Sequence, residues 1–142
     1  MPEAGCILGF DYGKQRIGIA VGQTLTRKAQ ALTTLQNQDG KPDWKAIQRL
    51  LEEWQPVRLV VGLPLHLDGK EQEMTHTARR FANQLHGRFR LPVSHADERL
   101  SSVEAEQILA ETCGPGRYDK QAIDKLAAQL ILQSWLEQNC IQ

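Results

Sequence analysis

CILGFDYGKQRIGIAVG, residues 6–22, decides the fold. Cys6 to Tyr12 is a short, mostly apolar run that reads as a strand. Gly13-Lys14-Gln15 is a tight connection. Arg16 to Gly22 alternates Ile17, Ile19 and Val21 with smaller residues and ends on glycine. Two such runs with so short a link predict an antiparallel hairpin. Working outward, a weaker third strand is predicted near Ala31–Leu35, ahead of an Asp39-Gly40 turn. A helix follows Pro42, with Ile47, Leu50, Leu51 and Trp54 at i, i+3, i+4 and i+7, and Pro56 stops it. Val57–Gly62 is a nearly continuous apolar run, as a central buried strand requires. Leu63-Pro64 ends that strand and Leu65–Gly69 is a loop. A helix is then predicted from about Lys70 to His86, with Met74, Ala78, Phe81, Ala82 and Leu85 on one face, and a strand over Leu91–Ala96. Ser101 with Glu104 has the spacing of a capping box. Gly114-Pro115-Gly116 breaks the chain, and a last helix runs from near Asp119 to about Gln138. Hairpin strands followed by alternating helices and strands predict a mixed five-stranded sheet with helices on both faces, in the α/β class, as one domain over residues 1–142.

Composition narrows the function. The 142 residues hold 41% apolar and 24% charged residues, with 17 basic and 17 acidic side chains and a formal net charge of +0. A binder that is basic throughout is excluded, whereas contact with phosphate through a local patch is not. No apolar run is long enough for a membrane span, so no membrane partner is expected. Met1-Pro2-Glu3-Ala4-Gly5 lacks the basic region and apolar core of a signal peptide. Cys6, Cys113 and Cys140 are too far apart for a zinc pattern or a disulfide framework, and they suit a reducing cytoplasm. His66, His76, His86 and His95 have no metal-site spacing. His66 alone lies in a loop that could face a crevice.

Three carboxylates carry the chemistry. Asp11 sits at the C-terminal end of the first strand, and Glu98 directly follows the predicted Leu91–Ala96 strand. In open α/β sheets, ligands collect at such strand ends. Asp124 lies early in the last helix, sharing a face with Ala127, Ala128, Ile131 and Trp135, a face expected to be buried. A buried carboxylate without a partner costs several kcal/mol or takes up a proton, so Asp124 needs a cation. A divalent metal shared with Asp11 and Glu98 would satisfy all three acids. Each acid also has an ordinary reading: Asp11 as a turn residue, Glu98 as a helix cap or surface pair, Asp124 as half of a buried ion pair.

Four blocks resemble the YqgF/RuvX family, in that family's order and over nearly the whole chain. They are Phe10-Asp11-Tyr12-Gly13 with Arg16-Ile17-Gly18-Ile19-Ala20-Val21; Val61-Gly62-Leu63-Pro64-Leu65 with Asp68-Gly69; Asp97-Glu98-Arg99-Leu100-Ser101; and Asp124, Ala127-Ala128 and Ile131-Leu132-Gln133. The resemblance implies an RNase H-like fold and a bacterial cytoplasmic nuclease. Its substrate would be the 5′ end of 16S rRNA precursor or, by analogy to RuvC, four-way DNA. The family's acidic triad falls on Asp11, Glu98 and Asp124. Gly22-Gln23 and His66 depart from the family's usual Ser-Asp and Asn, away from the triad.

Phosphodiester hydrolysis needs an activated water, in-line geometry and charge neutralisation at the leaving oxygen, which two Mg2+ or Mn2+ ions supply together. Asp11 is the candidate bridging ligand, with Glu98 at one ion and Asp124 at the other. Lys14, Arg16, Arg99, Arg117 and Lys120 are the candidate nucleic-acid contacts, joined by Lys125 and with Tyr118 available for stacking on a base. The partners expected are RNA, as pre-rRNA or a ribosomal particle, or branched DNA. The protein itself is expected to be a monomer or weak dimer. Two rivals stand beside this reading. A sugar-kinase or actin-like ATPase needs a second similar domain and a second phosphate motif, both absent from this sequence. A non-catalytic nucleic-acid-binding module would have no use for three acids that repel phosphate.

Overall fold

The predicted hairpin forms. In the structure, a computed structural model describing residues 5–39, 41–64, 73–98, 107, 108, 111 and 120–139, strand β1 (Cys6–Tyr12) pairs antiparallel with β2 (Arg16–Gln23). The Gly13 N–H donates to the Arg16 carbonyl at 2.9 Å and closes the turn. Strand β3 (Lys28–Gln36) pairs antiparallel with β2. Strands β4 (Arg58–Pro64) and β5 (Val93–Glu98) add in parallel on the other side of β1, for a sheet order β3-β2-β1-β4-β5. Helices α1 (Trp44–Trp54) and α2 (Glu73–Phe89) accompany the parallel half, and α3 (Lys120–Asn139) comes last.

Alternation along β1 and β2 sorts the two faces. Cys6, Leu8, Phe10, Ile17, Ile19 and Val21 enter one core cluster with Ile47 and Leu51 of α1 and Ala78, Phe81, Ala82 and Leu85 of α2. Ile7 and Ala20 enter the other with Ala128, Leu132 and Leu136 of α3. Helices therefore cover both faces, as expected. The α3 face of the hairpin is built from small residues, so the helix lies directly on the backbone. A Cβ at Gly9 would fall 2.9 Å from the Leu132 Cβ, and one at Gly22 would fall 2.7 Å from a Leu136 methyl.

Several expectations are corrected at the element ends. The third strand begins at Lys28, because a bulge between Ile19 and Ala20 of β2 skips Leu32 and breaks the alternation that reveals a strand. Leu32 and Leu35 consequently pack on the α1–α2 core, while Ala29 packs under α3. Gln133 of α3 accepts from the Ala29 N–H at 2.8 Å and donates to the Arg27 carbonyl at 2.8 Å, which ties the helix to this edge strand. Helix α1 ends as predicted before Pro56: Gln55 turns left-handed and its N–H reaches the Leu51 carbonyl at 2.8 Å. Helix α2 outlasts its predicted end and is closed by left-handed Arg90, whose N–H bonds to the His86 carbonyl at 2.9 Å. Strands β4 and β5 each run two residues further than predicted, because Leu63 pairs with Asp97 and Pro64 with Glu98. Glu98 is thus the last residue of a strand rather than the residue after one. The predicted Leu65–Gly69 loop, the Ser101 helix start and the Gly114-Pro115-Gly116 break lie outside the described residues. Among the described residues, no helix is long and apolar enough to cross a membrane.

Candidate active site

Asp11 and Asp124 come together through a glycine. Asp11 pairs with Gly18 across the β1–β2 ladder. A Cβ on Gly18 would lie 2.0 Å from the backbone carbonyl oxygen of Asp124 and 3.0 Å from the Lys125 nitrogen. No side chain fits there, so Gly18 lets the first turns of α3 rest on the sheet beside Asp11. The third acid arrives from the parallel half. Val61 pairs with both Phe10 and His95, so β1, β4 and β5 point the same way and end at one edge. Glu98 closes β5 at that edge, two strands from Asp11, a separation of roughly 10 Å between strand axes.

Asp124 differs from its predicted setting. The buried stripe of α3 is Ala127, Ala128, Ile131, Leu132 and Leu136, while Trp135 and Asp124 are only half-buried. Asp124 sits near the start of α3, with its backbone against Gly18 and its side chain half-buried, and its cation is a side chain. The Arg16 Nε donates to Asp124 Oδ2 at 2.5 Å, with the two side chains 24% and 22% exposed. Arg16, expected as a phosphate contact, is therefore first a partner of a candidate catalytic acid. A pair this open to water contributes about 1 kcal/mol or less to stability. It serves to orient the carboxylate more than to hold the fold.

Arg16 also lines a cavity of about 410 Å3 with Lys14, Gln15, Gln36 and Asn37. Asn37, missed by sequence reasoning, organises it. Its Nδ2 donates to the Gly13 and Lys14 carbonyls at 2.9 and 2.8 Å, and its backbone N–H donates to the Gln15 carbonyl at 2.8 Å. Three hydrogen bonds from one residue fix the turn that presents Lys14 and Arg16. An Asn just after a strand is an ordinary turn signal, and sequence does not reveal that it clamps a different turn. Gly18 left a clearer trace, since a glycine between Ile17 and Ile19 marks a close backbone approach.

Two carboxylates from different elements, meeting at one rim, make an oxygen donor set suited to a hard divalent cation. Such a cation on Asp124 would have to displace the Arg16 guanidinium or sit beside it, since that side chain already neutralises the carboxylate. Among the described residues, no group of three or more His, Cys, Asp or Glu side chains is placed to hold a metal ion. The Glu98 and Lys120 side chains, together with Arg99, Arg117, Tyr118 and His66, lie outside the described set.

Comparison with known proteins adds three findings. The family model described as RuvX, Holliday junction resolvase, matches residues 5–138. A protein of Haemophilus ducreyi is 50% identical over 136 residues, covering 96% of this chain and 99% of its own, and one of Yersinia enterocolitica is 50% identical over 132 residues, covering 93% and 94%. Both carry the name "Putative pre-16S rRNA nuclease". Among solved structures, the fowlpox virus Holliday junction resolvase superposes with a TM-score of 0.55 at 14% identity, over 94% of this chain and 98% of that one. At that identity the likeness is one of fold, the resolvase fold of the RNase H-like class.

Proposed function

The chain belongs to the RuvX family, and from that premise we propose that it is a metal-dependent nuclease that hydrolyses phosphodiester bonds in maturing the 5′ end of pre-16S rRNA. The observation that carries this reading is the meeting of Asp11 and Asp124 across Gly18, at the edge where β5 delivers Glu98. Asp11, Glu98 and Asp124 would hold two Mg2+ or Mn2+ ions, which supply an activated water and neutralise charge on the departing 3′-oxygen.

The remaining work falls to this chain's own side chains. Lys14 and Arg16 would meet phosphate from the clamped turn, and Arg99, Arg117 and Lys120 would add further phosphate contacts. A neutral protein with one basic rim binds nucleic acid there and not over its whole surface. That task belongs to the bacterial cytoplasm, with the protein working as a monomer or weak dimer on RNA and folding as one domain over residues 1–142. Four-way DNA is the second reading, favoured by the family's description.

Parallel assays on pre-16S 5′-leader RNA and a four-way DNA junction, in Mg2+ and in EDTA, test the proposal. Cleavage of the RNA in Mg2+ alone, abolished by Asp11→Asn, is the expected outcome. Cleavage confined to the junction would move the substrate to DNA. Activity that survives EDTA would overturn the metal-dependent reading.

A further inference from the structure

Arg16 stands between two functions. Its Nε is spent on Asp124 Oδ2, at 2.5 Å, and its Nη1 approaches Gln15 Oε1 at 3.5 Å. The same residue is a wall of the cavity formed with Lys14, Gln15, Gln36 and Asn37. Apart from Lys14 and Arg16, that lining is carboxamide, with no acid in it. The backbone around it is fixed by Asn37, so a change of partner for Arg16 requires only its long side chain to turn. The contact engages one oxygen of Asp124 and one of the five guanidinium N–H groups, so competition between Arg16 and a metal arises from charge: a divalent cation on Asp124 repels the guanidinium beside it and frees Nε–H for phosphate.

We infer that Arg16 is the internal counter-ion of Asp124, competing with a divalent cation for that carboxylate, and that cation uptake releases the guanidinium to the neighbouring cavity as a phosphate-binding group. This rests on the metal reading of the acidic site. The competition has two consequences. Phosphate in the cavity draws Arg16 off Asp124, so nucleic acid and cation strengthen each other's binding by the same factor. Asp124 is also kept from standing as an uncompensated charge beside Asp11, whichever cation is at hand. Specificity for phosphate follows from the planar guanidinium, which a lysine does not reproduce.

Mn2+ titration by calorimetry on wild type, Arg16→Gln and Arg16→Lys, without nucleic acid, measures the competition. Arg16→Gln should bind Mn2+ about three- to five-fold more tightly than wild type, the factor set by a partly exposed ion pair. Arg16→Lys should gain less, because it keeps a charge near the carboxylate. Nitrogen-15 NMR adds a readout at the contact itself, since release of Nε–H from Asp124 speeds its exchange with solvent as well as moving its shift. The Arg16 Nε–H resonance, identified by its loss in Arg16→Lys, should shift on adding Mg2+ with the midpoint of the Mg2+ binding isotherm. Equal Mn2+ affinity in wild type and Arg16→Gln, or an Nε–H resonance unmoved at Mg2+ saturation, overturns the inference and leaves the metal reading intact. If none of the three proteins binds Mn2+, both fall together. Circular dichroism in EDTA checks the fold of the variants, and should Arg16→Gln not fold, the wild-type resonance decides alone.

Discussion

Asp124 is held by a guanidinium that comes from 108 positions away, on the first residue of β2. Its burial is partial, and that sets what its replacement costs. Asp124→Asn keeps the volume and removes the charge. Had the pair been fully buried, stranding the arginine would cost on the order of 3–5 kcal/mol. With water reaching both side chains, the loss should be about 1 kcal/mol or less. Cleavage, by contrast, should collapse, since the proposed metal site would lose an anionic ligand. Urea unfolding in EDTA beside a cleavage assay in Mg2+ separates the two effects. A mutant that is strongly destabilised yet cleaves normally would contradict the assignment of Asp124 as a ligand. Asn37 shows how a residue with no chemistry of its own shapes the site, because its three hydrogen bonds decide where Lys14 and Arg16 start.

Helix α3 approaches the sheet so closely because glycine and alanine line both sides of the contact. Gly9, Gly18 and Gly22 face it from the strands, and Ala127 and Ala128 are fully buried on the helix. The tightest point is Gly18 against the Asp124 carbonyl. That atom is helical backbone, so no side-chain rotation relieves a clash. Gly18→Ala should therefore lift the start of α3, at a cost on the order of 3 kcal/mol, and should weaken Mn2+ binding by moving Asp124 away from Asp11. Urea unfolding and calorimetry read the two effects, and unchanged values for both would refute the contact. Gln133 anchors the middle of α3 by bonding the Ala29 N–H and the Arg27 carbonyl. This gives a structural role to a glutamine that the sequence presents only as part of a family block.

Over the whole molecule the charges cancel, with 17 of each sign. Attraction to nucleic acid must then come from the local rim, and its salt dependence counts the contacts. Each single-stranded phosphate contact contributes roughly 0.7 to the slope of log affinity against log salt. Lys14→Ala and Arg99→Ala should each weaken RNA binding and lower that slope by about this amount, as measured by fluorescence anisotropy across a salt series. An unchanged slope would make the side chain structural. The parallel strands β1, β4 and β5 all end at one edge, which brings the backbone of Asp11 and of Glu98, far apart in sequence, to the same side of the sheet.

The hairpin, the helix stop at Pro56 and the mixed α/β class were all legible in the sequence, because alternation, helical spacing and turn residues are local. The resemblance extended this to an RNase H-like fold. Tertiary structure decided what depends on contacts between distant segments. The bulge at Leu32 hid the true start of β3, since it moves side chains to the opposite face in mid-strand. Pairing with β4 carried polar Asp97 and Glu98 into β5, where composition alone reads a loop. The partner of Asp124 was equally hidden: a helical stripe shows which face turns inward, but not that its first acid reaches the rim of the sheet, where Arg16 meets it.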